Sequence, residues 1–235
     1  LPIFAPCGWM LDSYRFLCEV SLKIPGAQRI TGKPAHMRIF WYYLGLGVFL
    51  LAIYACARRN EKHKDCRETA DLCVSRRKKR LQGIVFSCFI AFLLLFLLFP
   101  QKKSFEIDFL DVGQGDGIYL CTGGGTSMFI DGGSTDVKQV GKYRILPFLK
   151  AKGVSEISYW FVSHTDTDHV SGLKEVLVSG YRVEYLVFAK AVEKEAKTKE
   201  LAELARSHGT KVFYMQAGDT VRSKRAAMRC LYPKA

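Results

Sequence analysis

Residues 157–169 read ISYWFVSHTDTDH. Ile157–Ser163 is a nearly continuous apolar run and predicts a buried-type strand. It delivers the chain to His164-Thr165-Asp166-Thr167-Asp168-His169, where four imidazole or carboxylate side chains fall within six residues. A tight loop at a strand end points alternate side chains, His164, Asp166 and Asp168, into one pocket with His169 beside them. Neutral imidazole and carboxylate suit a borderline or hard divalent cation such as Zn²⁺ or Mn²⁺. The alternative is a polar turn with a helix cap, Asp168 or His169 standing ahead of Val170-Ser171-Gly172-Leu173. A single His–Asp pair would fit that alternative well. Four ligand-type residues at this spacing fit a metal loop better.

Outward from this stretch, residues 104–235 predict an α/β layer structure. Phe105, Ile107 and Phe109 alternate with Glu106 and Asp108, as in a half-buried strand near 105–110. Asp111-Val112-Gly113-Gln114-Gly115-Asp116-Gly117 forms a turn, and strands near 118–121 and 127–130 follow on either side of Gly123-Gly124-Gly125. The second of these ends in Asp131-Gly132-Gly133. Residues 140–152 suit a helix despite Pro147. Beyond the metal loop, helices are predicted near 170–178 and 193–207, with a strand near 184–188.

The N-terminal part has a different composition. The 235 residues are 49% hydrophobic with a net charge of +13, which excludes a disordered or collagen-like chain. Residues 39–57 (IFWYYLGLGVFLLAIYACA) and 81–99 (LQGIVFSCFIAFLLLFLLF) contain no charge, and each is long enough to cross about 30 Å of hydrocarbon. Two transmembrane helices are predicted. Residues 58–80 between them hold ten Lys or Arg and four acids. A short basic loop belongs on the cytoplasmic side; a nucleic-acid or lipid-headgroup patch is the other reading. With that loop inside, residues 1–38 and everything after Pro100 lie outside. Trp9, Met10, Leu11, Tyr14, Phe16, Leu17, Val20 and Leu22 predict an amphipathic stretch on the outer surface, ending at Pro25-Gly26. None of the eight cysteines forms a C-x-x-C pair, which disfavours a zinc ribbon or a thioredoxin-like site. Leu1 in place of Met, and an end without a terminal element, lead us to expect a fragment open at both ends.

His164-x-Asp166-x-Asp168-His169 after a strand resembles the metallo-β-lactamase-fold motif His-x-His-x-Asp-His, with Asp166 in place of the second His. Together with Asp111-Val112-Gly113-Gln114-Gly115-Asp116 and Phe129-Ile130-Asp131-Gly132-Gly133, it is similar to the outer domain of ComEC-type DNA-uptake channels. Leu22-x-Ile24-Pro25-Gly26, Thr31-Gly32-Lys33-Pro34 and Tyr42-Tyr43 resemble the end of that family's channel domain. Gly218-Asp219 and Leu231-Tyr232-Pro233 fit the same pattern.

The resemblance implies two transmembrane helices followed by an incomplete αββα, metallo-β-lactamase-like domain in a multi-pass membrane protein. It implies DNA, single- or double-stranded at the cell surface, as substrate, with the lipid bilayer and other DNA-uptake components as partners. It implies a nuclease for the non-transported strand that uses two divalent ions, Zn²⁺ or Mn²⁺. His164 and Asp166 would hold one ion, Asp168 and His169 the other, with Asp168 catalytic. Asp131 would brace the loop, and Asp111, Gln114 and Asp116 would line the cleft. Lys138, Lys142, Arg144 and Lys150 are the candidates for attracting an anionic substrate. Further ligands in this fold come from the second half of the domain. His36, His63 and His208 do not supply them, so residues 1–235 are expected to hold half a site and to bind metal weakly. A hydrolase of another ester or amide, and a module that binds DNA without cutting it, are the competing readings.

Overall fold

In the computed structural model, which describes residues 5–24, 29–62, 72–99, 103–223 and 226–232, the chain divides into two compact units. One is Thr31–Lys102; the other joins Leu1–Ile30 with Lys103–Ala235. Leu1–Ile30 contains helix α1 (Ala5–Lys23). Its Asp12, Arg15, Glu19 and Lys23 recur every three or four residues and so share one stripe, where Arg15 pairs with Glu19 at 3.1 Å. Trp9, Met10, Leu11, Tyr14, Phe16 and Leu17 are exposed.

Thr31–Lys102 is a pair of helices, α2 (His36–Lys62) and α3 (Leu72–Leu98). Among the described residues one helical stretch, His36–Ala55, is long and apolar enough to cross a membrane, and none of it is buried. The apolar part of α3 that is described, Gly83–Leu98, is shorter than that. Phe49 on α2 stacks on Phe86 and Phe89 of α3, with ring centroids 5.4 and 4.2 Å apart. Both helices run on past their apolar stretches, so the basic segment 58–80 is helical at each end rather than a loop throughout. Lys and Arg are good helix formers, and nothing after Ala55 breaks the turn. Residues 63–71, the middle of that segment, lie outside the described residues.

The second part of the other unit is a mixed six-stranded sheet. Its strands are β1 (Glu106–Phe109), β2 (Gly117–Cys121), β3 (Ser127–Asp131), β4 (Glu156–Val162), β5 (Arg182–Ala189) and β6 (Lys211–Met215), in spatial order β1-β2-β3-β4-β5-β6. The first three form an antiparallel meander, and β3 to β6 run parallel. The parallel crossovers carry α4 (Leu146–Ala151), α5 (Thr167–Val178) and α6 (Ala196–Ser207). Two three-residue strands, β7 (Thr220–Arg222) and β8 (Ala227–Arg229), form a separate hairpin.

The core lies between the sheet and these helices. Tyr119, Phe129, Trp160, Leu186 and Phe188 alternate inward along the strands and meet Ile145, Leu149, Leu173, Val176 and Leu201. Strand residues of the other parity face away from the helices. There Tyr159 stacks on Tyr185 at 5.1 Å, and Phe213 is half exposed.

The five strands and three helices predicted in this domain are present, with two adjustments. The helix predicted near 170–178 starts at Thr167, because Asp166 is extended (φ −77°, ψ 158°) and stands as its N-cap. Residues 141–145 wind as a π-type turn before α4, which places Pro147 in the first turn of α4, where its missing N–H breaks no bond.

Candidate metal centre

In a parallel sheet, the C-terminal ends of neighbouring strands open onto a common edge. Here β3 ends at Asp131, β4 ends at Val162, and α5 begins at Thr167. Gly117 pairs with Asp131, which brings Asp116 to the same edge. Residues distant in sequence therefore meet around His169, which is 8% exposed in the first turn of α5.

Glycines make this approach possible. A Cβ on Gly133 would lie 2.4 Å from the Thr167 carbonyl oxygen and 2.5 Å from the His169 nitrogen. One on Gly115 would lie 2.2 Å from the Gly133 oxygen and 2.6 Å from the Asp168 oxygen. The Asp116 N–H donates to the Asp168 carbonyl and the Gly133 N–H to the Asp116 carbonyl, both at 3.2 Å. Gly115 and Gly133 thus serve as flat surfaces against which the ligand loop rests, while Gly113 and Gly132 take the positive φ of turn positions, +80° and +121°.

His169 Nδ1 lies 3.0 Å from Asp131 Oδ2, and His169 Nε2 lies 3.5 Å from Asp168 Oδ2. A neutral imidazole has one N–H and one lone pair. Asp131 takes the N–H, so the Nε2 lone pair faces the Asp168 carboxylate. In that neutral form two electron-pair donors stand 3.5 Å apart, the spacing of ligands that share one cation through bonds of about 2.0–2.2 Å. His164 completes the group, its ring centroid 3.7 Å from that of His169. One ligand atom each from His164, Asp168 and His169 lies within 4.8 Å of the others, and this donor set of nitrogen and oxygen fits Zn²⁺ or Mn²⁺. Asp116, Asp131 and His169 form a second such group. Asp131 is already committed in it, since both its oxygens accept from Ser163, at 2.8 and 2.9 Å.

Asp166 stands apart from the trio. Its Oδ2 is 3.9 Å from His164 Nε2, while its Oδ1 pairs with Lys197 Nζ of α6 at 3.0 Å. That ammonium holds the Asp166 carboxyl below the usual carboxylate range. Asp111 points elsewhere and pairs with Arg144 at 3.1 Å. The Gln114 backbone closes the turn by donating to Asp136 Oδ1 at 2.7 Å and accepting from the Thr135 N–H at 2.9 Å. The Gln114 N–H and the Ser134 hydroxyl hold Asp136 below its ordinary value. Of the basic residues singled out from sequence, Arg144 is occupied by Asp111, and Lys142 lies over the Tyr143 ring. Among the described residues, the ammonium ion-paired with the ligand loop is that of Lys197 on α6, a residue the sequence reading did not single out. Ser163 also escaped the sequence reading as a site residue, although its place beside His164 was a signal.

No protein-family model matches the chain. It is 27% identical over 180 residues, 70% of its length, to ComE operon protein 3 of Bacillus subtilis (strain 168). It is 31% identical over 106 residues, 44% of its length, to Recombination protein 2 of Haemophilus influenzae. These matches cover 23% and 13% of the two relatives, so the chain spans less than a quarter of the length of either. Both similarities agree with the resemblance drawn from the motifs.

Proposed function

We propose that residues 104–235 belong to a metal-dependent phosphodiesterase of metallo-β-lactamase type that acts on DNA during its uptake, degrading the strand that is not transported. The observation that carries this reading is the meeting of His164, Asp168 and His169, with the His169 Nδ1–H taken up by Asp131 so that Nε2 is left as a donor. A divalent cation held there supplies Lewis-acid polarisation of a phosphate ester.

The chain's own groups do the rest. Asp131 fixes the His169 ring, and Asp168, partly exposed at the cleft, offers its second oxygen to take a proton from attacking water. Lys197, 71% exposed, pairs with Asp166 and offsets the negative charge of the ligand loop. The trio gathers around one ion position. A second ion, which the resemblance implies, would be held by Asp116 and His169, which form a group with Asp131. The membrane part follows the same reading: α2 and α3 span the bilayer, the basic segment between them faces the cytoplasm, and the α/β domain lies outside.

Metal-dependent release of nucleotides from end-labelled single- and double-stranded DNA tests the proposal, using the full-length gene product with residues 1–235 measured beside it. Cleavage that needs Mn²⁺ or Zn²⁺, and that His169→Ala abolishes, is the expected result for the full-length product. Residues 1–235 alone should be far slower. DNA binding without cleavage would replace the nuclease with a transport module, and cleavage unaffected by His169→Ala would place the active site elsewhere.

A further inference from the structure

Ser163 links β4 to the ligand loop and touches three members of the site at once. Its backbone N–H donates to Asp131 Oδ1 at 2.8 Å. Its Oγ lies 2.9 Å from Asp131 Oδ2, 3.0 Å from His164 Nδ1 and 3.4 Å from His169 Nδ1.

A hydroxyl has one proton and two lone pairs. The Asp131 carboxylate can only accept, so the Ser163 proton is directed to Oδ2. What remains on Oγ is acceptor capacity, so His164 Nδ1 at 3.0 Å must be the donor. His164 is then the Nδ1–H tautomer, with its lone pair on Nε2. His169 is set the same way, its Nδ1–H shared between Asp131 Oδ2 at 3.0 Å and, more weakly, Ser163 Oγ. One carboxylate therefore fixes both imidazoles, His169 directly and His164 through the serine hydroxyl.

We infer that Ser163 is a positioning residue that selects the His164 tautomer and so presents Nε2 to a divalent cation. The inference rests on the metal-site reading above. It differs from a purely structural role, because the backbone bond that fastens the strand end to Asp131 survives any change of the Ser163 side chain. Partners that orient a ligating imidazole in this way typically contribute 10–100-fold to metal affinity.

The test uses residues 1–235 with ¹⁵N-labelled histidine in detergent, free of metal, with His164 assigned by difference from His164→Asn. Long-range ¹H–¹⁵N correlations should give His164 as Nδ1–H in the wild type and move it toward Nε2–H in Ser163→Ala. Zn²⁺ affinity should fall about tenfold in the same variant. Ser163→Thr and Ser163→Val are nearly isosteric and differ in the hydroxyl, so the pair decides the matter if Ser163→Ala folds poorly. Thr should restore both the tautomer and the affinity, and Val should not. An unchanged tautomer in Ser163→Ala, or Thr and Val behaving alike, would overturn the assignment. If wild type bound no Zn²⁺ at all, the metal reading would fail, and the tautomer shift would still decide whether Ser163 sets His164.

Discussion

Gly133→Ala is expected to destabilise the α/β domain by about 3 kcal/mol, the upper end of what an inserted methyl costs a packed interior. The atoms in its way are backbone: the Asp168 carbonyl carbon and Thr167 oxygen at 2.4 Å and the His169 nitrogen at 2.5 Å. None can rotate aside as a side chain would. Either the loop after β3 or the start of α5 must move, and both movements break the hydrogen bonds that tie Asp116 to Gly133 and Asp168. The same movement separates Asp168 and His169 from Asp131, so metal affinity should fall together with stability. Gly125→Ala is the control. That residue has φ +86° with nothing within 4 Å, so alanine there meets only backbone strain of about 1–2 kcal/mol. Urea unfolding midpoints of the two variants make the comparison. Equal losses would mean that the close approach does not govern this edge of the sheet.

Asp131→Ala should be of similar size for a different reason. Asp131 is 5% exposed and accepts from the Ser163 N–H, the Ser163 hydroxyl and His169 Nδ1. Alanine leaves the two nitrogen donors without their acceptor, at roughly 1–3 kcal/mol for each buried group. It also places a methyl-bearing residue at φ +57°, a conformation that Asp and Asn tolerate better. Asp131→Asn keeps that tolerance and one acceptor oxygen, so it should be the milder change for stability. It should still lower metal affinity about tenfold, because an amide cannot serve His169 and Ser163 together as the carboxylate does. Thermal unfolding and Zn²⁺ titration of both variants check this. Asp131→Ala with an unchanged midpoint would remove Asp131 from its anchoring role.

The strands and the ligand loop were legible because their signals are local. Ile157–Ser163 is a buried run, and the ligand-type residues follow it directly. The start of α5 was misplaced by three residues because Thr-Asp-Thr-Asp reads as a turn, whereas Asp168 and His169 already lie in the first helical turn. Strand β6, Lys-Val-Phe-Tyr-Met, shows no clear alternation, since Val212 and Tyr214 pack on the core while Phe213 faces the other side with an aromatic neighbour. Strands β7 and β8 are three residues each, too short to carry a period. The pairing of Asp166 with Lys197 spans 31 positions and depends on α6 lying beside α5, which no local pattern encodes. The glycines of Asp111–Gly117 and Asp131–Gly133 were visible as breakers. Their contact with the backbone of Thr167–His169 is a tertiary fact.

Equilibrium dialysis of residues 1–235 against Mn²⁺ or Zn²⁺, wild type beside His169→Ala and Asp168→Asn, tests most directly whether His164, Asp168 and His169 are a metal centre. The expected result is saturable binding by wild type, even if weak, that Asp168→Asn weakens at least tenfold and His169→Ala abolishes. No binding by wild type, or equal binding by all three proteins, would contradict the assignment.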